Sequence, residues 1–268
     1  PRPRPQASRS TIVVAFALLY VGWGSTYLTI HIAIESIPAF LMAGARFILA
    51  GLLLFAIARR PGTPRERLTR AHWRSATIIG FCLLLFGNGG VSWGEQYLPS
   101  GLVALIVATV PLWMALFAPA FGGRRINRTA SAGVGIGLVG IVLLVRPGGS
   151  GAGHWQTLVV LLAPLLWAAG SLYARNAPAP KQALTAIAME MIAGGMMLIV
   201  AGVATGEVGH VHLNHVSLAS YASFISLVLL GALVGYVPYI WLLHRFAATA
   251  ASPEAFVTPA VACVSCPL

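Results

Sequence analysis

Apolar residues in this chain run in long blocks, and polar or charged residues collect in the short gaps between them. Nine such blocks span about residues 11–30, 38–58, 75–95, 100–120, 130–146, 157–175, 182–204, 219–243 and 251–268. A helix needs roughly 20 apolar residues to cross a hydrocarbon core about 30 Å thick. A backbone in lipid must also satisfy its own hydrogen bonds, so blocks of this length predict membrane-spanning helices. The expected fold class is an all-α polytopic membrane protein.

Composition sharpens this picture. The chain is 58% hydrophobic and only 9% charged, with a mean hydropathy of +0.84, whereas soluble domains carry roughly 25% charged residues. A soluble enzyme is excluded. The formal net charge of +11 could suggest nucleic acid, but its distribution argues against that partner. There is no Asp, and all basic residues except Arg46 and Arg146 fall in alternate gaps: Arg2 to Arg9, Arg59 to Arg74, Arg124 to Arg128, Arg175 with Lys181, and Arg245. The intervening gaps hold Glu35, Glu95 and Glu207. This alternation follows the positive-inside rule and predicts a cytoplasmic N-terminus, with the lipid bilayer as partner. The first block has no small-residue cleavage site and ends in Trp23 and Tyr27, so it reads as a retained helix rather than a signal peptide.

Few residues suggest other chemistry. Cys263 and Cys266 form half of a metal or redox motif with no second half, and Cys82 sits within an apolar block. His210, His212 and His215 share a loop whose sole further ligand type is Glu207. Gly148–Gly151 lacks the Lys-Ser/Thr of a phosphate-binding loop. No metal, cofactor or ATP-driven step is expected, and no nucleophile with an adjacent base suggests an enzyme.

An internal repeat is the second large signal. Ile48 and Gly51 match Ile192 and Gly195 at an offset of 144, and Gly87 and Trp93 match Gly235 and Trp241 at an offset of 148. Gly24-Ser25-Thr26-Tyr27 resembles Gly170-Ser171-Leu172-Tyr173, and Pro111 superposes on Pro259. Residues 11–146 and 157–268 are therefore read as two halves. Five helices per half is odd, so the second half enters the membrane from the opposite side, giving an inverted repeat of five plus five helices. The tenth helix is missing from this chain, and the second half reads as truncated, with about four helices.

Trp23-Gly24-Ser25-Thr26-Tyr27, Arg46-Phe47, the run Trp93-Gly94-Glu95-Gln96-Tyr97-Leu98-Pro99-Ser100-Gly101, and Thr109-Val110-Pro111-Leu112-Trp113 together carry a family resemblance. The chain resembles the EamA-like branch of the drug/metabolite transporter superfamily. That resemblance implies a ten-helix exporter of metabolites, amino acids or small toxic compounds.

Candidate site residues follow from depth and polarity. Arg46 and Glu190 each lie about eight residues into their blocks, at equivalent repeat positions. At 1.5 Å per residue this puts them within roughly 5 Å of their helix midpoints. An unpaired charge at such depth costs about 3 to more than 10 kcal/mol, so each must face protein or water, as a cavity or gate pair or as a structural interhelical pair. Trp23 with Tyr27, Trp93, Asn88, its repeat equivalent Tyr236, and Tyr239 complete the expected substrate cavity. Pro111, Pro238 and Pro259 interrupt helical hydrogen bonding and are expected to bend their helices. Gly133 and Gly137 form a GxxxG face for packing within the chain or in a homodimer. The function these features support is a secondary transporter in the bacterial inner membrane, exporting a small-molecule substrate (a metabolite, an amino acid or a drug-like compound) by alternating access. The alternative is a non-transporting scaffold or interaction subunit that uses the glycine face.

Overall fold

The computed structural model describes residues 26–60, 66–123, 154–211 and 216–239, with residue 63 and a few positions within 14–17 and 132–139. Every regular element among the described residues is helical: α1 (Thr26–Ile34), α2 (Ala39–Ala58), α3 (Arg70–Gly94), α4 (Ser100–Phe121), α5 (His154–Ala174), α6 (Ala183–Ala204) and α7 (Leu218–Tyr239). Six of them, α2 to α7, are long and apolar enough to cross a membrane.

Local sequence explains where these helices start and break. Hydropathy predicts the third block from residue 75, but α3 begins at Arg70. Thr69 caps it: its side chain accepts the His72 N–H at 3.3 Å, while the His72 ring accepts the Thr69 N–H at 3.5 Å. This reciprocal box satisfies two backbone donors that a helix start leaves open, so the basic turn before the apolar block is helical too. Pro111 has no N–H and cannot bond back into the preceding turn. Accordingly α4 breaks at Ala108–Thr109 between Ser100–Val107 and Val110–Phe117. Thr109 mends the break by donating to the Ile106 carbonyl at 2.6 Å and accepting from the Trp113 indole at 3.1 Å.

Two helices carry wide π turns, over Gly80–Asn88 in α3 and Leu227–Tyr236 in α7. Shifting the first by the 148-residue offset gives residues 228–236, nearly the second. Such turns are rare and concentrate at functional sites.

The α2–α6 pair is the most extensive helix contact, and glycine makes it possible. A Cβ on Gly51 would lie 2.9 Å from Ile192, and one on Gly195 would lie 2.8 Å from Ile48. A Cβ on Gly44 would meet the Gly195 carbonyl at 2.9 Å, and one on Gly51 the Ala188 carbonyl at 3.1 Å. The 144-residue offset exchanges the partners in both sets. Gly80 and Gly194 approach just as closely, with a Cβ on Gly80 only 2.7 Å from the Gly194 nitrogen. In lipid no hydrophobic force draws helices together, so backbone approach of this kind supplies the dispersion contact that does. Gly137 faces Leu112, whereas Gly133 has open space around it.

Polar clamps tie the ends. After α6, the Glu207 carboxylate accepts the Phe40 and Leu41 N–H groups at 3.1 and 2.9 Å. These are open donors in the first turn of α2, where the helix dipole also favours negative charge. Ser36 donates to Ser220 at 2.6 Å beside this clamp. At the opposite end, Glu66 accepts the Lys181 N–H at 2.7 Å and Gln182 donates to the Ala58 carbonyl at 3.1 Å. Thus the Glu35 and Glu207 loops share one end of the bundle, and Arg59, Arg60, Arg67 and Lys181 share the other.

Gly195→Val should force α2 and α6 apart, because Gly44 backbone and Ile48 leave no room. Overpacking of this sort costs about 1–3 kcal/mol, so the thermal midpoint in detergent should fall clearly. Gly133→Val, in open space, should leave it unchanged; equal losses would contradict the glycine account.

Candidate functional site

A largely apolar cavity with a few polar groups opens in the middle of the bundle, walled by α2, α3, α4, α5 and α7 and by the first turns of α1. Tyr27 and Ile30 of α1, Arg46 and Phe47 of α2, and Asn88 and Val91 of α3 form one side. Pro164 and Trp167 of α5 and Gly231 and Tyr236 of α7 form the other, with Val107 and Val110 of α4 between them. Gly87 lets Trp167 into this wall: a Cβ there would sit 2.5 Å from the indole ring. Tyr236 and Asn88 stand at the ends of the two π segments.

Arg46 and Glu190 each have their own partner. Arg46, 2% exposed, donates to the Asn88 side-chain carbonyl at 3.0 Å, and its guanidinium lies 4.5 Å from the Phe47 ring centre. Asn88 in turn donates to the Leu83 carbonyl at 3.3 Å, a carbonyl lying within the π segment. Glu190, 4% exposed, accepts the Tyr236 hydroxyl at 3.3 Å. The offsets of 144 and 148 read in the sequence carry Arg46 and Asn88 onto Glu190 and Tyr236. A shared pair of Arg46 with Glu190 is therefore not what the structure holds: each charge is bonded to a π-helix side chain instead. Tyr239 lies behind the wall, sharing its hydroxyl with the Trp167 indole at 2.8 Å and Ser171 at 2.6 Å.

A second polar spot lies along α3 from the cavity. Glu95 is 4% exposed, and neither carboxylate oxygen has a hydrogen-bond partner. Ser92 one turn earlier and the Arg46 Nε are likewise buried and unpartnered. Glu95 makes no hydrogen bond to Arg46 or to Tyr27.

The acidic-loop end opens into a wider basin of about 630 Å³, lined by Glu35, Trp93, Gln96, Tyr97, Glu207 and His210. Trp93 belongs here, stacked on Tyr97 at 4.8 Å and on Trp155 at 5.4 Å, rather than in the central cavity. Of the expected cavity residues, Tyr27, Arg46, Asn88 and Tyr236 line the cavity together, and Glu190 and Tyr239 stand one layer behind. Pro238 is the last but one described residue of α7; Trp23 and Pro259 lie outside the described residues. Trp167 and Phe47 were not anticipated. The sequence signal for Trp167 was present but weak: an aromatic three residues after Pro164 and four before Ser171.

Buried polar residues at mid-depth in a bundle of apolar helices define a polytopic integral membrane protein built around a polar internal site. The model of the EamA-like transporter family matches residues 10–146, and the chain belongs to that family. Among curated proteins, the uncharacterized inner membrane transporter YedA of Escherichia coli strain K12 is 39% identical over 194 residues, covering 72% of this chain and 62% of the relative. A probable amino-acid metabolite efflux pump of Salmonella typhimurium is 26% identical over 164 residues, 58% of this chain and 50% of that protein. The chain thus spans under two thirds of the length of these relatives. A solved structure titled only as the crystal structure of a protein has 21% identity and a TM-score of 0.51, covering 96% of this chain and 98% of its own. That likeness concerns the fold alone.

Double-mutant cycles should separate the two polar pairs. Arg46→Gln with Asn88→Ala should couple by about 0.5–3 kcal/mol in stability, as should Glu190→Gln with Tyr236→Phe. Arg46→Gln with Glu190→Gln should add within about 0.5 kcal/mol. Strong coupling in this last cycle would restore a direct pair.

Proposed function

We propose that this chain is the pathway-forming part of a secondary transporter of the inner membrane that exports small metabolites, amino acids or drug-like compounds. The observation that carries this reading is the central cavity. It is walled by both halves of the sequence and carries Arg46, Asn88 and Tyr236 in its lining at mid-membrane depth, where an ionisable residue in a span marks a substrate or ion path. Family membership and the transporter relatives support transport over a scaffold.

Alternating access between inverted halves is the mechanism. Its support is the reciprocal glycine packing of α2 on α6 and the clamp at each end of that pair. Glu207 holds α2 at the acidic-loop end, and Glu66 with Gln182 holds the start of α6 at the basic end. Rocking about the α2–α6 contact loosens one clamp while the other stays closed, so the cavity opens to one side at a time. The basic end faces the cytoplasm. A carboxylate among the buried groups, Glu95 or Glu190, provides for proton coupling.

Protein in liposomes, screened for counterflow with amino acids, organic acids and amphiphilic cations, should show saturable flux of at least one class. Asn88→Ala with Tyr236→Phe should reduce it strongly while the protein remains folded. Leak-like, non-saturable uptake of every class would leave only the scaffold.

A further inference from the structure

Resting on the transport reading above, we infer that the central cavity selects organic anions: molecules with a carboxylate-like head for Arg46 and a flat apolar body for the aromatic wall. The lining decides the sign of charge. Among the described lining residues Arg46 is the one formally charged member, and Glu190 and Glu95 do not line the cavity. Arg46 is also not consumed by the protein. It has a hydrogen bond to Asn88 through one terminal nitrogen, yet its Nε is buried with no partner. A buried donor left unmade costs about 1–3 kcal/mol, more for a charged group. A guanidinium that lines a cavity with an open N–H has the geometry to take a planar oxyanion through two parallel hydrogen bonds.

The remaining lining specifies the body. Tyr27, Phe47, Trp167 and Tyr236 line the same cavity, with the Phe47 ring centre 4.5 Å from the Arg46 guanidinium, and Ile30, Val91, Val107 and Val110 add aliphatic surface. A hydrophilic sugar or a polyamine finds few partners there. Glu95 lies outside this lining, and neither of its carboxylate oxygens takes up the guanidinium.

Equilibrium binding of radiolabelled phenylacetate to the full chain in nanodiscs tests this. Benzoate should compete, whereas phenethylamine, which has a similar body and the opposite charge, should not. Arg46→Gln should weaken phenylacetate binding by roughly tenfold or more, the worth of a charge-assisted hydrogen bond. Asn88→Asp, which sets a carboxylate against Arg46, should do the same if Arg46→Gln fails to fold. Phenethylamine competing as well as benzoate, an unchanged affinity in Arg46→Gln, or no binding of phenylacetate would overturn the inference. Counterflow keeps the two readings apart. Phenylacetate binding without flux would support the anion site and sink transport. Flux of an amphiphilic cation without phenylacetate binding would do the reverse.

Discussion

The cost of a charge in lipid governs this structure. Arg46 and Glu190 sit where an unpaired ion costs about 3 kcal/mol at the least, so each must reach a polar group on a neighbouring helix. Arg46 of α2 reaches Asn88 of α3, and Glu190 of α6 reaches Tyr236 of α7. Side-chain reach is short, and the helices must therefore lie close. Gly44, Gly51, Gly80, Gly194 and Gly195 remove the Cβ atoms that would hold them apart. Glycine packing and charge burial are two sides of one constraint: the first sets the helix spacing that the second requires.

The π segments belong to the same design. A π turn widens the helix and leaves side chains out of the 3.6-residue register. Asn88 and Tyr236 stand at the ends of these segments, where they are turned toward the cavity and toward Arg46 and Glu190. The Asn88 side chain also takes up the Leu83 carbonyl five residues back. A regular helix in α3 or α7 would carry these residues to another azimuth and strand both charges.

Much of this was legible in the sequence because hydropathy reports depth. The blocks that became α2, α4, α5 and α6 and the start of α7 were placed to within a few residues, and Arg46, Asn88, Glu190 and Tyr236 were recognised as buried polar groups. Depth does not report azimuth. Arg46 and Glu190 were matched by level and sign, but facing directions around α2 and α6 turn them to different neighbours. Trp93 illustrates the same limit. It shares a helix with Asn88, yet five residues carry it to the outer basin beside Trp155. The clamp by Glu207 was invisible, since a loop carboxylate looks solvated until the first turn of α2 is brought to it. The start of α3 was misjudged because the Thr69–His72 cap uses an imidazole where Glu or Gln is the usual signal.

Accessibility of the Asn88 position tests the central claim most directly. In a background without native cysteines, Asn88→Cys should react with a membrane-impermeant thiol reagent applied from either face of oriented vesicles. Arg67→Cys should react only from the cytoplasmic face and Tyr97→Cys only from the opposite one. Reaction of Asn88→Cys from one face alone, or from neither, would contradict a cavity that opens alternately to the two sides.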